Sequence, residues 1–459
     1  MDVGVAAPVR KASRRAVGSW LLFDWAAQPY FTLITTFVFG PYFAARLAAN
    51  PVEGQALWGY AAAAAGLVIA IFSPALGAIA DTMGARKPWI AGFSVMLAAG
   101  SVSLWFAAPG VENAVTIALI AFAMGTIGAE LATVFTNAMM PDLADEHRLG
   151  RLSGTGWAVG NIGGMICLIL ILGFFVGDHA TGRTILGLTP VFDLDPAQYE
   201  GDRATGPFTA GWYLVVVTPL FVFTPDAAKR MSAAAALRPG LGELGATLRG
   251  LRNNTNAARY LLANMIYTDG IVALSVFGAI YAASVFGWTA IELGLFGIVI
   301  IFAGIFGSLI GGLLDDRIGP KRVVIGGLAI LALACVLILS IDRDRLFLVV
   351  PFDPPVAGDG FFASTGERIY LALGALIGAA AGPLQAASRT LLAGIAPREK
   401  MTQFFGLYAL TGKVTSFVGP LVIGAVTTIS GSQRIGVSMV VLFFIAGAAL
   451  LAGVRPTRG

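Results

Sequence analysis

Twelve long apolar runs dominate the chain and leave few folds open to it. They lie at roughly 17–45, 56–80, 89–108, 114–139, 153–176, 209–225, 259–285, 291–314, 323–341, 367–394, 402–428 and 435–454. About 20 apolar helical residues cross a bilayer core, so most of these runs are long enough to span one. Little charge remains to coat a soluble surface. Charged residues make up 12% of the chain, against about 25% in soluble domains. At 57% hydrophobic residues and a mean hydropathy of +0.80, disorder is excluded. A porin-type barrel would show short alternating strands instead. The expected fold class is an all-α integral membrane protein, with twelve transmembrane helices in two pseudo-symmetric six-helix bundles and the lipid bilayer as a partner.

The basic residues orient these helices. Of the 30 Lys and Arg, 21 fall on one side when the N-terminus is cytoplasmic. Seven fall on the other: Arg46, Arg183, Arg203, Arg343, Arg345, Arg368 and Arg434. Positive charge marks cytoplasmic loops, so both termini are expected in the cytoplasm. The basic head, with Arg10, Lys11, Arg14 and Arg15, lacks an apolar stretch of its own and reads as no signal peptide. Residues 226–258 carry Lys229, Arg230, Arg238, Arg249 and Arg252 among Gly and Ala. They read as a cytoplasmic linker between an N-terminal bundle, 1–225, and a C-terminal bundle, 259–459. That cluster is too loose, and too poor in aromatics, for nucleic acid. The outer loops 177–208 and 342–366 read as solvated connections. Cys167 and Cys335 lie in apolar runs and read as small buried hydrophobes. His147 and His179 fall in connecting segments, so an intramembrane histidine relay is not expected. No metal or cofactor site is expected.

An internal repeat divides the chain in two. Gly77, Asp81, Gly84, Arg86 and Lys87 follow the second run; Gly312, Asp316, Gly319, Lys321 and Arg322 follow the eighth at identical spacing. The glycines permit a tight turn, the acid can cap a helix or pair with Arg, and the basic pair suits headgroups. The repeat resembles the loop signature of the major facilitator superfamily, where it is linked to conformational gating. Further motifs narrow the resemblance. The first helix reads WLLFDWA from Trp20 to Ala26 and TTFVFGPYF from Thr35 to Phe43. The seventh opens YTDG at Tyr267, the tenth carries QAASR from Gln385 to Arg389, and the eleventh reads FFGLYALTGK from Phe404 to Lys413, then Gly419 and Pro420. Together these resemble the vacuole-effluxer-like family, over essentially the whole chain. Thr268, Gln403 and Leu407 depart from its usual Asn, Glu and aromatic. The resemblance implies a transporter whose helices 1, 4, 7 and 10 line a central cavity, and it favours efflux, since known fungal members export amino acids.

Five ionisable residues sit inside the runs: Asp24, Glu130, Asp269, Arg389 and Lys413. Each costs about 2.5–3.5 kcal/mol at a helix centre on insertion scales, so each should face a cavity or a partner. Helical spacing groups Asp24, Gln28, Thr32 and Thr35 on one face. Thr126, Glu130, Thr133 and Asn137 share another; Gln385, Ser388 and Arg389 cluster, as do Lys413 and Ser416. The acids Asp24 and Glu130 belong to the first half and the bases Arg389 and Lys413 to the second. Three roles stay open: ion pairs gating the cytoplasmic side, direct contact with a zwitterion, and static packing. In the second, Arg389 or Lys413 meets a carboxylate and Asp24 or Asp269 an amine, with a carboxyl as proton carrier. Glycines at 156–164 and 304–312 suit close, sliding helices.

These readings predict a secondary active or facilitative transporter of a small polar metabolite, working by alternating access. Amino-acid or other zwitterion efflux heads the substrate readings. A proton-coupled drug exporter is one competing reading and a transport-inactive sensor or scaffold another. Two His and two Cys supply no catalytic set, so an enzyme is not expected. Partners would be the small-molecule substrate and protons, with the chain a monomer. Arg outnumbers Lys by 24 to 6, which suggests a GC-rich bacterium and an inner membrane.

Overall fold

In lipid each backbone amide must find its partner within the chain, and the apolar runs do so as helices. The structure, a computed structural model, describes residues 12–178, 181–288, 290–353 and 361–455. Arg10, Lys11 and His179 lie outside the described residues. Among the described residues, eleven helices are long and apolar enough to cross a membrane. Numbered with the first run as span 1, they are span 2, Pro51–Met83; span 3, Lys87–Phe106; span 4, Ala114–Ala138; span 5, Glu146–Phe175; span 6, Glu200–Phe223; and span 7, Thr255–Phe286. Span 8 is Glu292–Ile318; span 9, Pro320–Leu339; span 10, Thr365–Ile395; span 11, Arg398–Ser430; and span 12, Gln433–Ala452. Span 1 is the exception. It runs as an α-helix over Arg14–Pro29, widens to a π-helix over Tyr30–Phe37, and continues in short pieces to Leu47. Pro29 has no N–H to donate, which favours such a change of helical register.

The two halves repeat one packing scheme. Span 1 packs on 5 and 6, span 4 on 2 and 3, and span 3 on 6; in the second half span 7 packs on 11 and 12, span 10 on 8 and 9, and span 9 on 12. Between halves, span 2 meets span 11 and span 5 meets span 8, again a symmetric exchange. Where they meet, side chains are dispensed with. A methyl at Gly77 would run into the Thr402 and Gln403 backbone, and one at Gly406 into that of Ser73 and Pro74. This small-residue packing lets helices approach closely. The 304–312 glycines press on span 10 and span 5 in the same way.

Two sequence readings need correction. Span 6 begins at Glu200, not near 209, so the loop read at 177–208 is shorter. Its Arg203 misled the reading: the guanidinium is buried, donates to the Trp105 carbonyl at 2.8 Å and lies over the Trp105 ring. The segment 226–258 is no plain linker. It contains a helix, Ala233–Leu251, started by the Ser232 side chain accepting from Ala235 N–H. Within the second long loop, Arg345–Leu346 pairs antiparallel with Val350–Pro351. Cys167 and Cys335 are buried free thiols.

Candidate functional site

The first and last described residues, the repeated motif and the linker helix share one end of the bundle, hereafter the motif end. There the halves are fastened by acids reaching across. Asp81, at the end of span 2, accepts the backbone N–H groups of Thr402 and Gln403 at 3.1 and 2.8 Å, capping the first turn of span 11. Asp316, at the end of span 8, accepts those of Gly150 and Arg151 at 2.9 and 3.3 Å, capping span 5. Unpaired N–H groups and the helix dipole make such termini natural anion sites. Gly84 and Gly319 both turn the chain with positive φ, 95° and 86°, which explains why the repeat keeps glycine there.

The two copies differ beyond the cap. Arg86 is buried; its Nε donates to Thr402 Oγ1 at 3.0 Å and its Nη1 to Asp142 at 2.8 Å, with Asp81 3.9 Å away. Its counterpart Lys321 instead donates to the Ala452 and Val454 carbonyls that end span 12. Lys87 serves the same purpose in the first half, holding the Phe221 carbonyl of span 6 at 2.9 Å. Arg322 is exposed. Asp316 draws its cation from span 5, where Arg151, 60% exposed, stands 3.5 Å off. The sequence reading missed Asp226, which accepts Arg86 and Lys87 N–H groups and caps span 3. A lone Asp at the start of a basic linker gives no periodic signal.

Above this seal lies a cavity of about 400 Å³ between the halves. Two more open hollows are as large, but neither holds charges from both halves. Seven of the eight residues expected here line it: Asp24, Gln28, Glu130, Asn137, Gln385, Arg389 and Lys413. Spans 1, 4, 7 and 10 contribute, and so do spans 5 and 11. Asp269 is not in this lining. It is buried toward a break in span 11, the turn at 414–417 between the helical pieces Met401–Lys413 and Val418–Ser430, where Thr415 Oγ1 donates to it at 3.2 Å. Periodicity alone could not show that it faces away.

Two ion pairs cross the cavity. Arg389 is held on every side: Nε donates to Ser153 Oγ at 3.0 Å, Nη2 to the Ser153 carbonyl at 2.8 Å, and Nη1 to Asn137 Oδ1 at 3.0 Å and Asp24 at 3.4 Å. Its guanidinium also lies over the Trp157 ring. Gly156 leaves the room this pair needs, since a methyl there would strike the Asp24 carboxylate. Ser153 was not anticipated, being one hydroxyl within a glycine-rich run. The second pair is shorter and wetter. Lys413 Nζ donates to Glu130 Oε1 at 2.6 Å, and their side chains are 33% and 22% exposed, against 6% for Arg389.

The polar stripes divide. Thr133 joins Glu130 and Asn137 at the cavity, whereas Thr126 partners the Tyr30 hydroxyl at 3.1 Å. Thr32 is buried against Gly164, and Ser416 donates to the Lys413 carbonyl of its own helix. On the opposite wall Tyr267 and Ser388 share a hydrogen bond of 2.7 Å, and Asn264 donates to Thr411 at 3.1 Å. Trp157 Nε1 and Asn264 Oδ1 are buried at the lining with no hydrogen-bond partner among the described residues. Of the three departures from the family pattern, only Thr268 reaches the cavity; Gln403 and Leu407 are buried in the first turns of span 11.

Known proteins resemble the chain in both sequence and shape. The family model described as "Vacuole effluxer Atg22 like" matches residues 45–459. An uncharacterized MFS-type transporter, YxiO of Bacillus subtilis, is 25% identical over 439 residues, covering 95% of this chain and 93% of that protein. Autophagy-related protein 22 of Cryptococcus neoformans is 24% identical over 322 residues, 67% of this chain and 53% of the fungal protein. Among solved structures, the major facilitator transporter FucP in its outward conformation aligns with a TM-score of 0.71 at 16% identity, over 96% of this chain and 99% of that one. The human organic anion transporter MFSD10 aligns at 0.66 and 17%, over 97% and 100%.

Proposed function

This chain belongs to the vacuole effluxer Atg22-like family of major facilitator membrane transporters, and we propose that it carries a small zwitterion, such as an amino acid, by alternating access. The observation behind this reading is the pair of opposed ion pairs around one cavity. The four charges cancel, so a cation or an anion alone would leave one of them uncompensated in a low-dielectric site. A zwitterion replaces both partners at once. Lys413 and Glu130 are the contacts for its carboxylate and amine, because they are the accessible pair. The unpartnered Trp157 N–H and Asn264 carbonyl supply a further donor and acceptor. Arg389, with four of its five N–H groups already donated to Asp24, Asn137 and Ser153, acts as the lock between halves, with Asp81 and Asp316 beneath it. Gln28 and Gln385 shape the walls.

The basic-loop bias supports a cytoplasmic motif end and hence a state closed toward the cytoplasm here, with both termini in the cytoplasm of a bacterium and the protein in its inner membrane. The working units are then 1–225 and 259–459, joined by 226–258, in a monomer. Glu130 is the group for proton coupling, since protonation would free Lys413. Export is the expected net direction.

Counterflow in proteoliposomes preloaded with mixed amino acids tests the reading. Exchange of a labelled amino acid that is lost in Arg389→Ala supports it. No exchange of any amino acid by folded protein overturns the zwitterion assignment. Competition by hydrophobic cations instead would point to drug export.

A further inference from the structure

The helix Ala233–Leu251 does two things at once. Its inner face bridges the halves. Ala236 is buried beside Ile79, Met83 and Ala85 at the end of span 2, and a methyl at Gly240 would strike the Ile79 backbone. Thr247 donates to Gln403 Oε1 at 3.3 Å, and Lys400 Nζ donates to Glu243 at 2.8 Å and to Thr247 at 3.2 Å, both reaching the start of span 11. The helix therefore lies across the end of span 2 and the start of span 11, the level at which membrane-spanning helices emerge into the headgroups.

Its outer face is not what a water-facing helix would show. Leu237, Leu241 and Leu248 are 48%, 45% and 49% exposed. With half-buried Leu244 they fall within an arc of about 60° at 3.6 residues per turn. Arg238, Arg249 and Arg252, all exposed, flank this stripe on the side away from the protein. The remaining arc is Ala, Gly and the exposed Pro239. A leucine stripe edged by arginine is the pattern of a helix lying in a membrane surface. Basic residues there attract anionic headgroups within a Debye length.

We propose that the helix Ala233–Leu251 is a lipid-seated strap: its leucines enter the monolayer at the motif end, its arginines bind anionic phospholipid headgroups, and its inner face, adjoining the leucine stripe, holds spans 2 and 11 together. Anionic lipid then favours the state closed at this end. The claim rests on neither the substrate nor the direction of transport.

The test needs no transport assay. Leu241→Cys and Ala246→Cys are each labelled with a small fluorophore in full-length protein, the native thiols being buried. Each is reconstituted in phosphatidylcholine vesicles with brominated acyl chains, with and without phosphatidylglycerol. Expected is quenching at 241 and none at 246, which points away from the stripe. Phosphatidylglycerol should deepen the quenching at 241, and Arg238→Gln, Arg249→Gln and Arg252→Gln together should remove that increment. Lipid quenching absent at 241, with aqueous iodide quenching both sites alike, overturns the proposal. Shielding of 241 that disappears on protein dilution assigns the stripe to a second copy and also overturns it. Quenching at 241 that is identical in both lipid mixtures overturns the headgroup assignment.

Discussion

The two ion pairs that cross the cavity have the same composition, an acid from the first half and a base from the second, and opposite surroundings. Arg389 is wrapped: each of its nitrogens donates to a protein acceptor, and Gly156 is hollowed out to admit its partner. Lys413 has Glu130 at 2.6 Å and a third of its side chain open to the cavity. A buried cation with four of its five N–H groups engaged is a poor receptor, because a ligand must first displace what already holds it. A half-solvated pair can trade partners at small cost, since exposed ion pairs contribute only about 0–1 kcal/mol. The contrast teaches that intramembrane charge alone does not identify a substrate contact; the number of remaining donors does.

The harshest way to break the contrast is Arg389→Ala. It strands Asp24 and should abolish exchange, with the closed state weakened by about 3–5 kcal/mol, the cost of breaking a buried pair. Thermal unfolding and counterflow measure both, and Asp24→Asn added to Arg389→Ala should recover stability without recovering exchange. Lys413→Ala should come next, raising KM for the substrate at least about tenfold, the loss of one charge-assisted contact, while unfolding shifts little. A fall in kcat at unchanged KM would erase the distinction between the pairs. Gly156→Ala sharpens it: the methyl displaces Asp24 alone, so turnover should drop with KM preserved.

Weaker effects are expected at the seal. Asp81→Asn should open the motif end more than Asp316→Asn, because it leaves buried Arg86 without the nearby Asp81 charge, whereas Arg151 is exposed. Distances between spin labels on spans 2 and 11, and on 5 and 8, report each opening. Smallest of all is Glu243. The Lys400 ammonium hydrogen-bonded to it holds its carboxyl below the usual range. Its contribution is therefore present above the ordinary carboxylate pKa and fades only as pH falls through the depressed value. The strap should stay bridged at pH 5, and Glu243→Gln should differ from the parent only slightly, as read by the same labels.

Much of this was legible from the residues. Apolar run length sets the spans, and the Gly77 and Gly312 repeats set the two-fold plan, since both are local in sequence. The opposite signs of Asp24 and Glu130 against Arg389 and Lys413 anticipated cross-half pairing. What escaped depended on tertiary packing. Asp269 has the same chemistry as Asp24, yet the break in span 11 claims it. Ser153 and Asp226 became partners only because other helices arrive beside them. Span 6 was begun late because Arg203 counts as polar in any hydropathy sum, although Trp105 shelters it. The first span's π turns follow from Pro29 but have no signature in composition.

The acids that fasten the motif end take their cross-half backbone hydrogen bonds from main-chain amides, in addition to the guanidinium groups beside them. Asp81 binds amides at positions 402 and 403, and Asp316 binds amides at 150 and 151. A peptide amide is present whatever residue carries it, proline aside. The latch is thus specified on one side only. Selection can hold two aspartates fixed while the residues they seize drift, provided the opposing helix still starts where the acid waits. For an engineer the same asymmetry is practical. Replacing Thr402 leaves its backbone amide for Asp81 and loses only its hydroxyl contacts, the one to Arg86 among them, whereas inserting one residue ahead of span 11 would move the amides out of reach of Asp81.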